Sequence, residues 1–176
     1  MVRSERMSKP NVPRTTLQRS LVGPAGEHYV LYKLHRQGMM AALAPRNAPT
    51  VDVLVLHEDE TISACVQVKT RTSGADKGWH MHEKHERING PHLFYAFVDM
   101  EPAEPAVFVI PSAVVANVVR RTHAKWLSTP GKNGQPHNPS KMRRIAPKYQ
   151  CPLTDLPEDW MEKYRGAWGL LLSTGK

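Results

Sequence analysis

Residues 49–56 read PTVDVLVL and residues 65–70 read CVQVKT. Val, Leu, Ile and Thr dominate the wider runs 51–56 and 62–70, which predicts two neighbouring strands with at least one buried face each. The acidic stretch HEDE at 57–60 supplies a turn, so the two strands are predicted to form a β-hairpin. We expect this hairpin to be part of the sheet.

The segments on either side of the hairpin complete an α/β pattern. Residues 24–37 predict a helix, with Pro24 at its first position and Gly38 as its stop signal. The other predicted elements are, in chain order, a strand at 39–44, a helix at 79–88, strands at 93–98 and 106–110, a helix from 112, and a final helix at 155–172. This order predicts an α/β fold with a mixed central sheet flanked by helices.

The chain of 176 residues divides into three predicted segments. Residues 1–16 are a flexible basic arm, residues 17–127 are the α/β core, and residues 128–176 are a basic loop followed by a C-terminal helix packed on the core. No apolar run is long enough to span a membrane. Cys65 and Cys151 do not make a disulfide framework, so we expect a reducing, cytoplasmic location.

The formal net charge of +8 is concentrated in residues 1–20 and 121–150, and the second stretch contains no acidic residue. Such basic segments attract polyanions through counterion release and long-range attraction, and nucleic acid is the commonest partner of this kind. Two alternatives stay open, namely solvated basic tails and tails that bind an acidic protein.

Three polar residues interrupt the apolar hairpin. Asp52 is near the start of the first strand, and Gln67 and Lys69 share one face of the second. A charged Asp and Lys among Val and Leu are costly unless they meet each other, a metal or a charged ligand. The hairpin brings them together at one end of the sheet. The alternatives are that Asp52 is a turn residue and that Lys69 marks a strand emerging into solvent.

These residues resemble the motif of the PD-(D/E)XK nuclease superfamily, whose members have a restriction-endonuclease-like fold. The resemblance lies in a Glu on the first helix, an Asp at the start of one strand, and an acid or Gln, any residue, and Lys on the next. The matching segments are GPAGEHYVLYKLHRQG at 23–38, PTVDVLVL at 49–56 and CVQVKT at 65–70. It covers about residues 20–115 and is similar to members such as junction resolvases and an intron-encoded homing nuclease.

The resemblance implies a magnesium site, with Mn²⁺ as a substitute. Asp52, the side-chain oxygen of Gln67, the carbonyl of Val68 and Glu27 would hold the ion, because oxygen ligands suit Mg²⁺. Lys69 would orient the attacking water and stabilise charge in the transition state. The implied catalytic residues are therefore Glu27, Asp52, Gln67 and Lys69.

This sequence departs from the family pattern at Gln67, where an Asp or Glu is usual. Loss of one negative charge weakens metal binding, so a catalytically decayed module that binds nucleic acid is an alternative reading of the same scaffold. Glu27 also has a simpler interpretation, because an acid in the first turn of a helix is stabilised by the helix dipole.

Residues that follow the motif strand, together with the basic loop, are expected to contact DNA phosphates. The loop is rich in Pro, Gly and Asn, and we expect it to close over the backbone as a flexible arm. The predicted contacts are Thr70, Arg71, Lys77, His80, Lys141, Arg143 and Arg144.

These observations together predict a Mg²⁺-dependent endonuclease that hydrolyses phosphodiester bonds in DNA. We also expect a homodimer, because nucleases that cut both strands commonly pair two sites by two-fold symmetry. The apolar surface that suggests this pairing comprises Trp160, Tyr164, Trp168, Val114, Val115, Val118 and Val119.

Overall fold

A computed structural model describes residues 19–59, 61–72, 78–149 and 152–172. Its central sheet contains the strands β1 (Met40–Leu43), β2 (Val53–Leu56), β3 (Ile62–Arg71), β5 (Leu93–Asp99) and β6 (Ala106–Pro111) in the order β1-β2-β3-β5-β6. Every neighbouring pair is antiparallel except β3 and β5, which are parallel. This mixed sheet confirms the predicted α/β class. The predicted arm at 1–16 lies outside the described residues.

The predicted hairpin is confirmed as β2 and β3. Val53 faces Val66 and Leu54 faces Cys65 in an antiparallel register, with an irregularity between Val55 and Leu56. The alternation of side chains along β2 turns Val53 and Val55 towards the interior, where both are fully buried. Both strands of the hairpin therefore contribute to one hydrophobic layer.

One helix covers each face of the sheet. Helix α1 (Arg19–Arg36) buries Gly26, Val30 and Leu34, which are four residues apart and so lie on one face of the helix. Helix α2 (Ser112–Ser128) packs on the other face through a stripe of valines. None of the helices in the described part of the chain is long and apolar enough to cross a membrane.

Helix α1 begins earlier than the sequence predicts. Pro24 is not the first helical residue but lies inside the helix, on its exposed side. The helix tolerates it because the lost backbone hydrogen bond and the ring both face solvent near the first turns. The predicted stop is confirmed, since Gly38 has a positive φ of 77° directly after the helix.

The predicted helix at 79–88 is wrong. Strand β4 (Trp79–His82) and a short 3-10 helix (Glu83–Glu86) occupy this segment. Trp79 and Met81 are buried while His80 is exposed, an alternation that a helix cannot produce because residues two apart point to different sides. β4 pairs with β7 (Met142–Ile145), which lies far along the chain. The local sequence around β4 therefore does not predict the pairing.

The last third of the chain also differs from its prediction. Part of the expected loop at 128–150 is strand β7, and the expected helix at 155–172 is two short 3-10 helices, Glu162–Tyr164 and Trp168–Leu171. Gly166 lies between them with a φ of 59°, where the chain turns. Trp160 then packs on the α2 face of the sheet and Trp168 on the α1 face.

The homodimer was predicted from apolar residues that were expected to be exposed, and most of these residues are buried within the chain. Trp160 and Trp168 are each 4% exposed, and the valines of α2 at 115, 118 and 119 are equally buried inside the chain. The aromatic residues are core residues on opposite faces of the sheet rather than one surface stripe. The homodimer stays a prediction without this support.

The contact between α1 and β3 sets a testable constraint. A Cβ at Gly26 would collide with Thr70 Oγ1 and lie 2.9 Å from Thr70 Cβ. We expect Gly26→Ala to lower the free energy of unfolding by about 1–3 kcal/mol, because the added methyl overpacks the interface. Chemical denaturation measures this change.

Gly23 provides the matched control, since it lies on the same helix and its added Cβ meets nothing closer than 3.9 Å. Gly23→Ala should stabilise the protein by up to about 1 kcal/mol through helix propensity. Equal effects of the two substitutions would show that α1 does not approach β3 as closely as described.

Candidate active site at the end of the hairpin

Asp52 lies directly before β2, where the backbone pairing of the hairpin ends. Its amide donates to the Val66 carbonyl at 2.9 Å, and its Oδ2 accepts a hydrogen bond from the Val68 amide at 2.7 Å. The carboxylate thus takes the place of a backbone acceptor and continues the ladder. Because these two bonds join Asp52 to the residues on either side of Gln67, Asp52 lies beside Gln67 on the neighbouring strand.

Gln67 contributes a buried oxygen to this position. Its side chain is 7% exposed, and its Oε1 accepts no hydrogen bond from any residue that the structure describes. A buried carbonyl oxygen without a donor costs about 1–3 kcal/mol. An oxygen left in this state beside a carboxylate is suited to a cation.

Lys69 is half-buried two residues after Gln67. Burial lowers the pKa of its ammonium group, and the nearby Asp52 carboxylate opposes that effect. The positive charge of Lys84 lowers the pKa further, while Glu27 raises it. Lys69 is therefore a partly dehydrated amine on which two carboxylates and a second lysine act electrostatically.

Glu27 reaches the same group of charges from α1. Burial raises the pKa of its carboxyl group, Asp52 raises it further, and His28 and Lys69 lower it. The adjacent Gly26 packs on Thr70, so the helix brings Glu27 to the same end of β3 as Lys69. The structure thus brings together all four predicted catalytic residues, Glu27, Asp52, Gln67 and Lys69.

The chemistry of these donors suits Mg²⁺ better than zinc. Two carboxylates and an amide oxygen are hard ligands of the kind that Mg²⁺ takes from proteins while keeping several waters. Within the described ranges, no group of three or more His, Cys, Asp and Glu side chains could hold a metal ion. A closed zinc site therefore finds no support among the described residues.

Two residues beside the site escaped the sequence analysis. Tyr95 on β5 is the neighbour of Gln67 in the parallel register, and its hydroxyl lies 2.8 Å from Nδ1 of His85. Burial, then the charges of Lys69 and Lys84, lower the pKa of His85 to about 4. The hydrogen-bonded pair of Tyr95 and His85 thus lies on the strand next to Gln67 and on the adjoining 3-10 helix. The sequence analysis missed both residues because it could not predict that β5 pairs with β3, which brings Tyr95 beside Gln67.

Two predicted DNA contacts are instead internal. The Oγ1 of Thr70 is buried, and the residue packs against Gly26 of α1. Arg71 is 9% exposed, and its guanidinium forms an ion pair with Asp99 while stacking 5.1 Å from the centre of the Trp79 ring. Neither side chain is exposed to a phosphate, because each completes the packing at the end of β3.

The predicted flexible arm is wrong for residues 142–145, which form β7. Arg143 is 8% exposed, forms an ion pair with Glu86 and donates to the Ser140 carbonyl at 2.6 Å. The sequence did not predict β7 because its arginines are surrounded by residues typical of loops. Arg143 can be buried because Glu86 supplies the opposite charge. Arg143 therefore has a structural position.

The remaining predicted contacts are nearer the surface. His80 and Lys141 are exposed, and Arg144 is half-buried opposite His80 in the β4–β7 register. Lys84, which the sequence analysis did not select, is exposed on the 3-10 helix between this ribbon and Lys69. The predicted contact Lys77 lies outside the described residues.

The pKa of Glu27 leads to a prediction for stability. Its folded-state pKa lies above the ordinary value, so ionisation costs free energy in the folded protein as the pH rises above about 4.5. Without divalent metal, Glu27→Gln should therefore raise the free energy of unfolding at pH 7, and the gain should vanish at pH 3. Urea denaturation in EDTA at both pH values measures this difference.

The exposed Glu58 supplies the control for this measurement. Glu58→Gln should leave the free energy of unfolding nearly unchanged at both pH values. A loss of stability in Glu27→Gln at pH 7 would mean that the carboxylate is already compensated by protein groups and does not lie in a crowded acidic site.

Comparison with known proteins supports the architecture. No protein-family model matches the chain, and no curated protein matches it in sequence. Among solved structures, the chain is similar to a bacterial homing endonuclease, I-Ssp6803I, with a TM-score of 0.52 and 16% sequence identity. The match covers 90% of this chain and 94% of that one. The chain thus has a nuclease-like fold, with a five-stranded mixed sheet flanked by helices.

Proposed function

We propose that this protein is a metal-dependent endonuclease that hydrolyses phosphodiester bonds in DNA. The observation that carries the proposal is the buried Oε1 of Gln67, which has no hydrogen-bond partner among the described residues, beside Asp52 and with Lys69 two residues further along β3. The arrangement resembles the PD-(D/E)XK motif with Gln at the variable position, and this resemblance supports the proposal. The similarity to a homing endonuclease supports DNA as the substrate.

The residues that would hold Mg²⁺, or Mn²⁺ as a substitute, are Asp52, Gln67 through Oε1, Val68 through its carbonyl, and Glu27. When bound, the ion supplies Lewis acidity for the phosphate and a lowered pKa for a coordinated water. Asp52 is suited to this work because the Val68 amide holds its carboxylate in one orientation. A rigid carboxylate loses little entropy when it binds an ion.

Lys69 would act on the phosphate directly. Its ammonium group, half-buried between Asp52 and Glu27, can donate to a non-bridging phosphate oxygen and to the attacking water. These hydrogen bonds strengthen as negative charge grows on the phosphate oxygens in the transition state. The neighbouring Lys84 adds a second positive charge on the exposed side, where the DNA backbone would pass.

Gln67 also favours a second candidate function. Because Gln67 is an amide where an acid is usual, the negative charges of the site are those of Asp52 and Glu27, which also act on Lys69. The site therefore attracts a divalent ion less strongly than one with three carboxylates would. A protein on this scaffold that binds DNA without cutting it would keep the basic surface and lose the metal. The metal titrations below separate the two functions.

The first prediction concerns the roles of Asp52 and Lys69. Wild-type protein should bind Mn²⁺ and cleave duplex DNA with Mg²⁺ or Mn²⁺. Asp52→Ala should abolish both, because the anchored carboxylate is the strongest ligand. Lys69→Ala should keep metal binding and lose at least about a hundredfold in cleavage rate, as expected for removal of a group that stabilises transition-state charge.

Calorimetry with Mn²⁺ and a cleavage assay on duplex, single-stranded and branched DNA provide the measurements. Glu58→Ala serves as the control, since it removes an exposed carboxylate outside the site. Equal Mn²⁺ affinity in wild type and Asp52→Ala would refute the proposed site. Mn²⁺ binding without cleavage of any DNA would instead favour the non-catalytic module.

The second prediction concerns Gln67. Gln67→Glu adds a negative charge at a buried oxygen position and should tighten Mn²⁺ binding by tenfold or more, which corresponds to about 1.4 kcal/mol. Cleavage should then saturate at lower Mg²⁺ concentration. An unchanged metal titration would show that this side chain is not a ligand.

A further inference from the structure

Strand β1 forms an edge of the central sheet, and β2 is its one neighbouring strand within the part of the chain that the structure describes. The opposite edge, β6, is covered, because Phe108 pairs with Arg165 and the Val107 carbonyl accepts from the Gly166 amide at 2.9 Å. An open edge presents unpaired backbone amides and carbonyls to a further strand. The two edges therefore differ, and β1 is the one that another strand can extend.

Two residues of β1 turn their backbone groups to this open edge. The Ala44 amide donates to the Asp52 carbonyl at 2.9 Å and continues the register of the β1–β2 pair. Because the backbone groups of successive residues point to opposite edges of a strand, Ala42 pairs with β2 whereas Ala41 and Leu43 point outward. An added strand can therefore bond to Ala41 and Leu43 without disturbing the pairing with β2.

One of these outward groups already has a side-chain contact. Nε2 of His35 lies 2.9 Å from the carbonyl oxygen of Ala41. A carbonyl oxygen has two lone pairs, so it can accept a second hydrogen bond from an added strand. The contact with His35 is therefore compatible with further pairing at this edge.

The side chains around the open edge are apolar. Residues 39–45 read MMAALAP and carry no charge. Met40 is 51% exposed, and Ile62, which lies in the same row of the sheet across Leu56, is 53% exposed. Helix α2 packs on β5, β6 and β7, so this half of the sheet keeps its apolar residues at the surface. An edge without charged side chains favours pairing with another strand.

The sequence of β1 is suited to antiparallel pairing with a second copy of itself. In such a pair, Ala41 of each copy exchanges two backbone hydrogen bonds with Leu43 of the other. This register uses every outward backbone group of Ala41 and Leu43 and places Ala42 opposite its own copy, on a two-fold axis. Residues at such a non-hydrogen-bonded position lie about 4.5 Å apart, which suits two small alanine side chains.

We propose that β1 pairs with β1 of a second copy of this chain about this axis and joins two five-stranded sheets into one. The axis brings the end of each β1 towards the start of the other. Exposed Arg46 follows β1, and exposed Glu58 and Asp59 follow β2 beside the start of β1, so opposite charges meet at both ends. Because β6 is covered, assembly stops at two copies.

The pairing also relates the two candidate active sites. The two-fold axis is perpendicular to the sheet, so both copies present the same face to one side. Asp52 lies one strand inward from β1, in line with Ala44. A strand spacing of about 4.8 Å and a rise of about 3.4 Å per residue then place the two Asp52 residues about 20 Å apart.

This separation is comparable with the width of a DNA duplex, so each site can act on one of the two strands. A dimer of this geometry would cut both strands in one binding event, whereas a monomer would cut one strand at a time. This consequence rests on the proposed function, whereas the interface itself does not.

Sedimentation velocity from micromolar to high micromolar protein concentration tests the interface. Small interfaces are transient, so we expect wild-type protein to pass from monomer to dimer in this range and to form no larger species. Ala42→Lys and Ala42→Glu should each remain monomeric, because like charges would face each other at the axis. An equimolar mixture of the two variants should dimerise again, because opposite charges then face each other.

Ala124→Lys is the matched control, since Ala124 is an exposed alanine on α2, away from this edge, and the variant should dimerise as the wild type does. Equal thermal unfolding of the variants establishes that they are folded. Wild-type protein that stays monomeric, or an assembly that persists in Ala42→Lys, would overturn the proposal. A mixture of Ala42→Lys and Ala42→Glu that stays monomeric would also contradict it.

Cleavage of supercoiled plasmid with Mg²⁺ tests the consequence for DNA. Wild-type protein at dimer concentrations should produce linear plasmid, and Ala42→Lys should produce nicked circles with the first strand cut at an unchanged rate. Nicked circles from both proteins would show that the paired sites do not act on one duplex. Absence of cleavage by both, with dimerisation as expected, would refute the nuclease and support the interface, so the two failures are distinguishable.

Discussion

The hydrogen bond from the Val68 amide to the Asp52 carboxylate is the interaction on which the candidate site depends. The strand register of the hairpin ends at Val53 and Val66. The Asp52 amide still donates to the Val66 carbonyl, and the Asp52 carboxylate then accepts from the Val68 amide. The bond gives a half-buried carboxylate a charge-assisted partner and fixes its direction. It also places a negative charge beside Gln67, whose side-chain oxygen lacks a donor among the described residues.

The approach of α1 to β3 completes the site on the other side. Gly26 lets the helix pack against Thr70 without a side chain between them, and Glu27 follows at once. The raised pKa of Glu27 and the lowered pKa of Lys69 have the same origin, namely dehydration at the end of the sheet. A divalent cation would relieve the repulsion between the Asp52 and Glu27 carboxylates, and Lys69 would oppose it. The packing of α1 on β3 thus brings together two partly buried carboxylates that repel each other, and a bound metal ion would reduce that repulsion.

Local sequence patterns predicted those parts of the fold whose partners lie nearby in the chain. The hairpin, the strands at 93–98 and 106–110, and the helix that stops before Gly38 carry their own signals of apolar period and turn residues. Asp52, Gln67 and Lys69 were found because a charge on an apolar strand needs a partner, and the register of a hairpin supplies it. Strand β4 was misread because its partner β7 is distant and contains the buried Arg143.

Tertiary pairing likewise explains what was missed around the site. Arg71 was predicted to contact DNA because it is a basic residue after the motif strand. It is buried instead, because it forms an ion pair with Asp99 on the neighbouring strand. Tyr95 and His85 meet only because β5 lies parallel to β3 and the 3-10 helix packs beside it. The flexible basic arm was inferred from a lack of periodicity, which does not distinguish a loop from a short strand stabilised by a distant ion pair.

A crystal structure of the protein with Mn²⁺, examined by anomalous scattering at the manganese edge, tests the central claim most directly. The account predicts a peak within ligand distance of the Asp52 carboxylate and the Gln67 Oε1, absent from crystals of Asp52→Ala. A wild-type map without a peak at this position, with the Gln67 oxygen accepting a hydrogen bond from the protein instead, would contradict it.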